Sequence, residues 1–288
     1  MAISYEALGS EEGMERLRRG EVDFAASDIL PDKDIQDQLA IEALPAVVGA
    51  VVPAYHIQGL TRDLRFTPEL LAGIFLGRIT KRNDPLIKAI NPGVNLPAAD
   101  IVVFHRSDGS GTTYVLSEYL SKTNPAWREA MGTGSTLHWP SGSSGKAAKG
   151  NDGVADALTH TAYSIGYLEF IYALRNELAY GAIKNAAGKY VRPDIDSVTA
   201  AAKGAPAENF RVSIVDAPGR EAYPISSFTW LLFSSKMPDG VKRERLAAFL
   251  DWAFSSGQRE VGALGYTALP EDLAGQERGA LARFRTKR

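Results

Sequence analysis

Leu44-Pro45-Ala46-Val47-Val48-Gly49-Ala50-Val51-Val52-Pro53-Ala54-Tyr55 is a nearly continuous apolar run with no charge in it. Such a run has no polar face to offer water, so it predicts a strand buried on both sides. Outward from it the pattern alternates. Residues 22–26 read as a strand that ends at Ser27-Asp28, and Met14 and Leu17 mark the apolar side of a helix that Gly20 stops. Residues 3–8 read as a short strand before that helix. Downstream, residues 68–76 read as a helix and residues 101–104 as a buried strand. The latter runs into a helix to about Lys122, with Val115, Leu116, Tyr119 and Leu120 on its inner face. Residues 132–153, rich in Gly and Ser, read as a long loop. Residues 164–168 predict a strand, and residues 224–233 are a second long apolar run. Leu246, Phe249, Leu250, Ala253 and Phe254 outline one face of a last helix. Strands alternating with helices in this way predict an α/β fold.

Length divides the chain. It has 288 residues, and single cores stop growing at roughly 250–300 residues. The two apolar runs are then read as crossovers between two lobes. Residues 1–48 and 223–288 form a discontinuous lobe I, and residues 49–222 form lobe II.

Composition narrows the function. Net charge is −2 and there is no cysteine. No global field recruits nucleic acid or an anionic membrane, and thiolate metal sites, disulfides and cysteine nucleophiles are excluded. No window approaches the roughly 20 apolar residues of a membrane span. The four histidines, His56, His105, His138 and His160, lack metal-ligand spacing. There is no Gly-x-Ser-x-Gly elbow. Gly142-Ser143-Ser144-Gly145-Lys146 only hints at a phosphate loop, because Pro140 precedes it and Ala147 follows the lysine.

What remains is an anion site built from dipoles. Gly9-Ser10 and Arg106-Ser107-Asp108-Gly109-Ser110-Gly111-Thr112 each place hydroxyls at a helix start directly after a strand. Unpaired N–H groups and the dipole make such a start an oxyanion cradle. Arg106 adds a charged, fork-shaped donor that Asp108 is placed to hold. Asp28 points to selectivity. A carboxylate repels an anion unless the anion carries a proton, as phosphate does near neutral pH and sulfate does not. Simpler readings stand beside these: Ser10 as a plain helix cap, Asp28 as a cap for the turn before Pro31, and Arg106 in a surface ion pair.

Taken together, these residues resemble a known family, the phosphate-binding proteins of Pst-type ABC transporters. The resemblance runs through Val22-Asp23-Phe24-Ala25-Ala26-Ser27-Asp28, Gly77-Arg78-Ile79, the stretch from Arg106 to Thr112, and Gly132-Thr133-Gly134-Ser135-Thr136. It continues through Lys149-Gly150-Asn151-Asp152-Gly153, Ser164-Ile165-Gly166-Tyr167 and Tyr223-Pro224-Ile225. It implies a two-lobed periplasmic binding protein fold of type II with two crossover strands, a periplasmic location, a monomer, inorganic phosphate as ligand and permease subunits as partners. It implies no cofactor, metal or catalytic residue. The implied phosphate ligands are Ser10, Asp28, Arg106, Ser110, the N–H of Gly111, and Thr112, with Asp108 orienting Arg106.

Two departures accompany the resemblance. The family's first strand and Gly-Ala-Thr-Phe-type loop have no counterpart here, so an N-terminal strand is expected to be missing. A start of Met1-Ala2-Ile3 read literally would make the chain cytoplasmic. Glu11 and Glu12 occupy the first turn after Ser10. An inward-pointing one would repel an anion about 5 Å away by about 3 kcal/mol at an effective dielectric near 20, so both are expected to point outward. Alternatives are a receptor for another oxyanion, a shortened sensor or interaction module, and a phosphate-ester hydrolase. No nucleophile–base pair supports the last of these.

Overall fold

One strand, Ile41–His56, is shared by both halves of the main sheet: 16 residues, or about 53 Å at roughly 3.3 Å per residue. The computed structural model describes residues 2–60, 62–140, 145–203 and 211–286. In chain order the elements are α1 (Ser10–Arg18), β1 (Phe24–Ser27), α2 (Lys33–Leu39), the long strand β2 (Ile41–His56), β3 (Arg65–Phe66), α3 (Pro68–Phe75), α4 (Pro85–Ile90), β4 (Val102–Arg106), α5 (Gly111–Thr123) and α6 (Pro125–Ala130). Then come β5 (Gly145–Ala148), α7 (Gly150–His160), β6 (Ser164–Glu169), α8 (Phe170–Arg175), β7 (Ala179–Tyr180), β8 (Ala182–Lys184), β9 (Tyr190–Val191), α9 (Ile195–Ala202), β10 (Ser226–Ser234), α10 (Gly240–Ala253) and α11 (Glu271–Thr286).

The strand order of the main sheet is β1-β10-β2-β6-β4-β5, with β7 also on β2. β2 changes partner along its length. From Ile41 to Ala50 it pairs antiparallel with β10, and from Val51 to His56 with β6. Two lobes result, one on β1, β10 and the first part of β2, the other on the rest of β2 with β6, β4 and β5. A second tie runs beside the first. The Val51 N–H donates to Ile225 O at 2.9 Å, and the buried Tyr223 hydroxyl donates to Val51 O at 2.9 Å. Val48, Val51, Val52 and Ala54 are fully buried, because β2 has protein on both faces at the place where the lobes join.

Pro45 lies inside β2, where a proline cannot donate to the ladder. The register there slips, with Thr229 facing Val47 and Trp230 facing Pro45. The resulting bulge bends the strand and re-aims nearby side chains, and Thr229 becomes part of the site described below. In the other lobe β4 lies parallel to both β5 and β6. The chain therefore leaves β4 at its carboxyl end and turns into α5, the position at which open α/β sheets hold ligands. No helix among the described residues is long and apolar enough to cross a membrane.

Two expectations are corrected. Residues 3–8 are not a strand: they run as exposed coil up to α1. A strand requires a ladder, and β1, the neighbouring edge, is paired only with β10 in the sheet order. Residues 132–153 are not one loop. Gly145–Ala148 forms β5 beside β4, and α7 starts at Gly150. The glycines and serines concealed a short strand whose hydrogen bonds come from β4, not from its own side-chain pattern. Within the phosphate-loop hint, Gly142, Ser143 and Ser144 lie outside the described residues.

Tyr223→Phe leaves Val51 O without its buried partner. The variant is expected to lose about 1–3 kcal/mol of stability, seen as a lower urea midpoint at unchanged slope.

Candidate functional site

The turn between β4 and α5 is held from three sides. Ser110 is the N-cap of α5 and its Oγ accepts the Thr113 N–H at 3.1 Å. The Ser110 N–H donates to Ser135 O at 3.0 Å. From below, the buried Tyr167 hydroxyl accepts the Arg106 N–H at 3.1 Å and shares a 2.7 Å hydrogen bond with the Thr113 hydroxyl. Burial pushes the phenol up to about 12, so Tyr167 serves as a neutral bracket. The strand end and the helix start thereby keep a fixed separation.

Arg106 is 7% exposed, which overturns the surface ion-pair reading. Its Nε donates to Asp108 Oδ1 at 2.8 Å, and one terminal nitrogen binds Asp108 Oδ2, forming a two-pronged ion pair. The other terminal nitrogen donates to Thr112 Oγ1 at 3.2 Å. Asp108 also accepts the Gly150 N–H at 2.9 Å. Burial would raise the Asp108 carboxyl, but Arg106 and the Gly150 N–H outweigh it and hold the group below the usual carboxylate range. Asp108 is therefore a fixed anion that orients the guanidinium and matches its charge.

The opposite wall comes from lobe I. The N-cap of α1 is Gly9, at φ 92°, with Ser10 as the first helical residue and no side-chain cap bond. The plain-cap reading of Ser10 fails. Its Oγ instead accepts the Asp28 N–H at 3.4 Å, across from the end of β1. Asp28 does not cap the turn before Pro31; Ser27 closes that bend, accepting the Ile29 N–H at 3.0 Å. Asp28 Oδ1 accepts the Thr229 hydroxyl at 2.8 Å, which leaves Oδ2 free to face the other lobe.

Gly111 marks where the walls meet. A Cβ there would overlap Ser10 Oγ and come within 2.7 Å of Asp28 Oδ2. Ser10, Asp28 and the first residue of α5 therefore converge on one spot. The cleft around it, roughly 1110 Å³, is lined by Ser10, Asp28, Arg106, Gly111, Thr112, Asn151, Glu169 and Thr229 among others. Of the residues singled out in the sequence, Ser10, Asp28, Arg106, Gly111 and Thr112 are brought together. Ser110 is fully buried as the cap and lies outside that lining. Glu11 and Glu12 also lie outside it. Glu12 accepts a 3.0 Å bond from Arg16, and the Glu11 carboxylate takes the Ser135 hydroxyl from the other lobe.

Sequence reasoning missed Thr229, Asn151 and Glu169. Thr229 and Glu169 carried a signal: each is a polar residue at the middle or end of an otherwise apolar strand. Asn151 bridges Glu169 to the turn, since its Oδ1 accepts the Glu169 N–H at 3.2 Å and the Thr112 hydroxyl at 3.5 Å.

Electrostatically the cleft is an acid-lined cradle. Desolvation raises Asp28, while the Thr229 hydroxyl and Arg106 pull it back toward ionisation. Burial raises Glu169 well above the usual range, Asp28 adds to this, and Arg106 opposes it. Among the described residues no group of three or more His, Cys, Asp or Glu could hold a metal. The arrangement can grip a small oxyanion with hydroxyls, helix N–H groups and one guanidinium, and it can accept a proton from that ion at Asp28.

A family model described as a PBP superfamily domain matches residues 1–256. The chain is similar to the phosphate-binding protein PstS of Xylella fastidiosa, at 39% identity over 278 residues, covering 95% of this chain and 76% of the relative. It is similar to PstS of Methanocaldococcus jannaschii at 36% identity, covering 94% of this chain and 76% of that one. The fold matches a phosphate binding protein from Stenotrophomonas maltophilia with a TM-score of 0.79 at 21% identity, over 98% of this chain and 87% of that one. It also matches a high-affinity periplasmic phosphate-binding protein (PfluDING) bound with phosphate, with a TM-score of 0.77 at 22% identity over 94% and 85%. The fold is two-lobed, the cleft between the lobes is lined by groups able to hold a small oxyanion, and relatives of 36–39% identity span three quarters of their own length on this chain: the chain belongs to the PstS family of phosphate-binding proteins within the PBP superfamily.

Proposed function

We propose that this chain captures inorganic phosphate between its lobes and hands it, chemically unchanged, to the permease of an ABC importer. The observation that carries this reading is the meeting of Asp28 Oδ2, Ser10 Oγ and Gly111 at one point, with Arg106 and Thr112 beside it. Such a point has donors for the anion's unprotonated oxygens and one acceptor for its O–H. A fully deprotonated ion meets the same acceptor as an unpaired repulsion. Relatives whose names say they bind phosphate support the choice of ion.

The proposed ligand set is Ser10, Asp28, Arg106, Ser110, Gly111 and Thr112, with Asp108 in support. Ser110 Oγ accepts from Thr113, so its own O–H is what it has to give. The proposed lobes are residues 1–48 with 223–288, and 49–222. The change of β2's partner between Ala50 and Val51 supports that division. Closure of one lobe on the other would complete the cradle and mark the loaded form for the permease. A periplasmic location and a monomeric state complete the proposal.

Titration calorimetry with phosphate, sulfate and other oxyanions is the direct test. Phosphate is expected to bind far more tightly than sulfate, and equal affinities would remove the role given to Asp28. Asp28→Asn is expected to lower the phosphate-to-sulfate ratio about tenfold to a hundredfold, the worth of about 1.5–3 kcal/mol for one contact to a charged group. Gly111→Ala fills the cradle with a methyl group. It is expected to abolish detectable phosphate binding while the far-UV circular dichroism spectrum stays that of the folded wild type, because the added methyl group meets Ser10 and Asp28 of the facing wall and leaves α5 itself intact.

A further inference from the structure

Glu169 is the last residue of β6 and faces Val51 across the sheet, at the point where β2 changes partner. It is 5% exposed, and neither carboxyl oxygen has a hydrogen-bond partner. The side chain reaches the same cleft as Asp28, Arg106 and Thr112. There it packs against Gly49, where a Cβ would lie 3.0 Å from Oε2. A glycine thus makes room for this carboxyl in the middle of a largely apolar strand. A buried side chain with both oxygens unpartnered breaks the rule that buried polar groups are satisfied, and such exceptions need an explanation.

Charge balance supplies one. Asp108 already matches Arg106, so Arg106 has no spare charge to offset a second buried carboxylate beside Asp28. A second ionised carboxyl beside it would oppose the anion in a site with little water. The titratable and charged groups facing Glu169 are Asp28 from the end of β1, Arg106 from the end of β4, Tyr172 from α8 and Tyr266 after α10; β2 presents Gly49 and α5 presents Thr112. Asp152 of α7 and Tyr5 act on Tyr172 in turn. Asp28 has the Thr229 hydroxyl to stabilise its charge and Glu169 has no such bond, so of the two acids Glu169 keeps its proton to higher pH.

We propose that Glu169 is a further group of the anion cleft that sets the upper pH limit of binding: carrying its proton it offers an O–H to a ligand oxygen, and on losing it expels the ligand. This rests on the phosphate reading for the identity of the ion.

The test is phosphate titration calorimetry on the full chain from about pH 5 to pH 10, comparing wild type with Glu169→Gln. Wild-type affinity is expected to fall about tenfold per pH unit above the point at which Glu169 ionises. Glu169→Gln, which has no proton to lose, is expected to lack that limb. Profiles that superimpose after scaling overturn the proposal. A second measurement needs neither ligand nor variant: the carboxyl carbon resonance of Glu169, followed by NMR in the free wild-type protein. A neutral carboxyl at about pH 7 supports the assignment, and one already ionised below about pH 6 overturns it. If the wild type takes up no phosphate at any pH, the phosphate reading fails by itself, and the resonance still decides whether Glu169 carries the proton.

Discussion

An anion taken out of water into this protein must be held by dipoles and hydrogen bonds, because the buried guanidinium of Arg106 is already neutralised. Asp108 grips Arg106 through both carboxylate oxygens and takes the Gly150 N–H as well. Arg106 therefore brings direction more than net charge: its remaining N–H groups are aimed, and its position is fixed before a ligand arrives. The helix starts at Ser10 and Gly111 supply the rest of the field. This matters for selectivity. A site with excess positive charge would take any anion, whereas one that is neutral or slightly acidic must count protons on its ligand.

The crossover makes such a site possible. β2 belongs to both lobes, so Asp28, held through β10 by Thr229, and Arg106, held through β6 by Tyr167, are referenced to one strand. The bulge at Pro45 turns Thr229 toward Asp28, and Gly49 makes room for Glu169. Irregularities in an otherwise uniform strand thus coincide with the groups that tune the acids.

Much of this was legible in residue order. The valine-rich run announced β2, and the sequence from Arg106 to Thr112 showed a strand end, an ion pair and a helix start, because these are local features with local causes. Ser10 was found for a partly mistaken reason: it is a first-turn residue whose hydroxyl reaches Asp28, and Gly9 is the cap. Residues 3–8 alternate like a strand, yet alternation only makes a segment eligible for a ladder. Whether a ladder exists depends on a neighbour. The same reason hid β5, whose partner β4 lies some forty residues earlier in the chain.

By itself the sequence determined the α/β class, the two apolar strands, the helix starts able to hold an oxyanion, and the Arg106–Asp108 pair two residues apart. Each of these follows from periodicity, capping chemistry or short-range charge. Only the tertiary structure decided that Asp28 and Ser10 share one cradle with Gly111, that Thr229 stabilises the Asp28 carboxylate, and that Glu169 is buried unpaired beside them. Those facts depend on which strand lies next to which and on how much water is left between them. Desolvation and proximity across more than a hundred residues of chain leave no mark on the local pattern of amino acids.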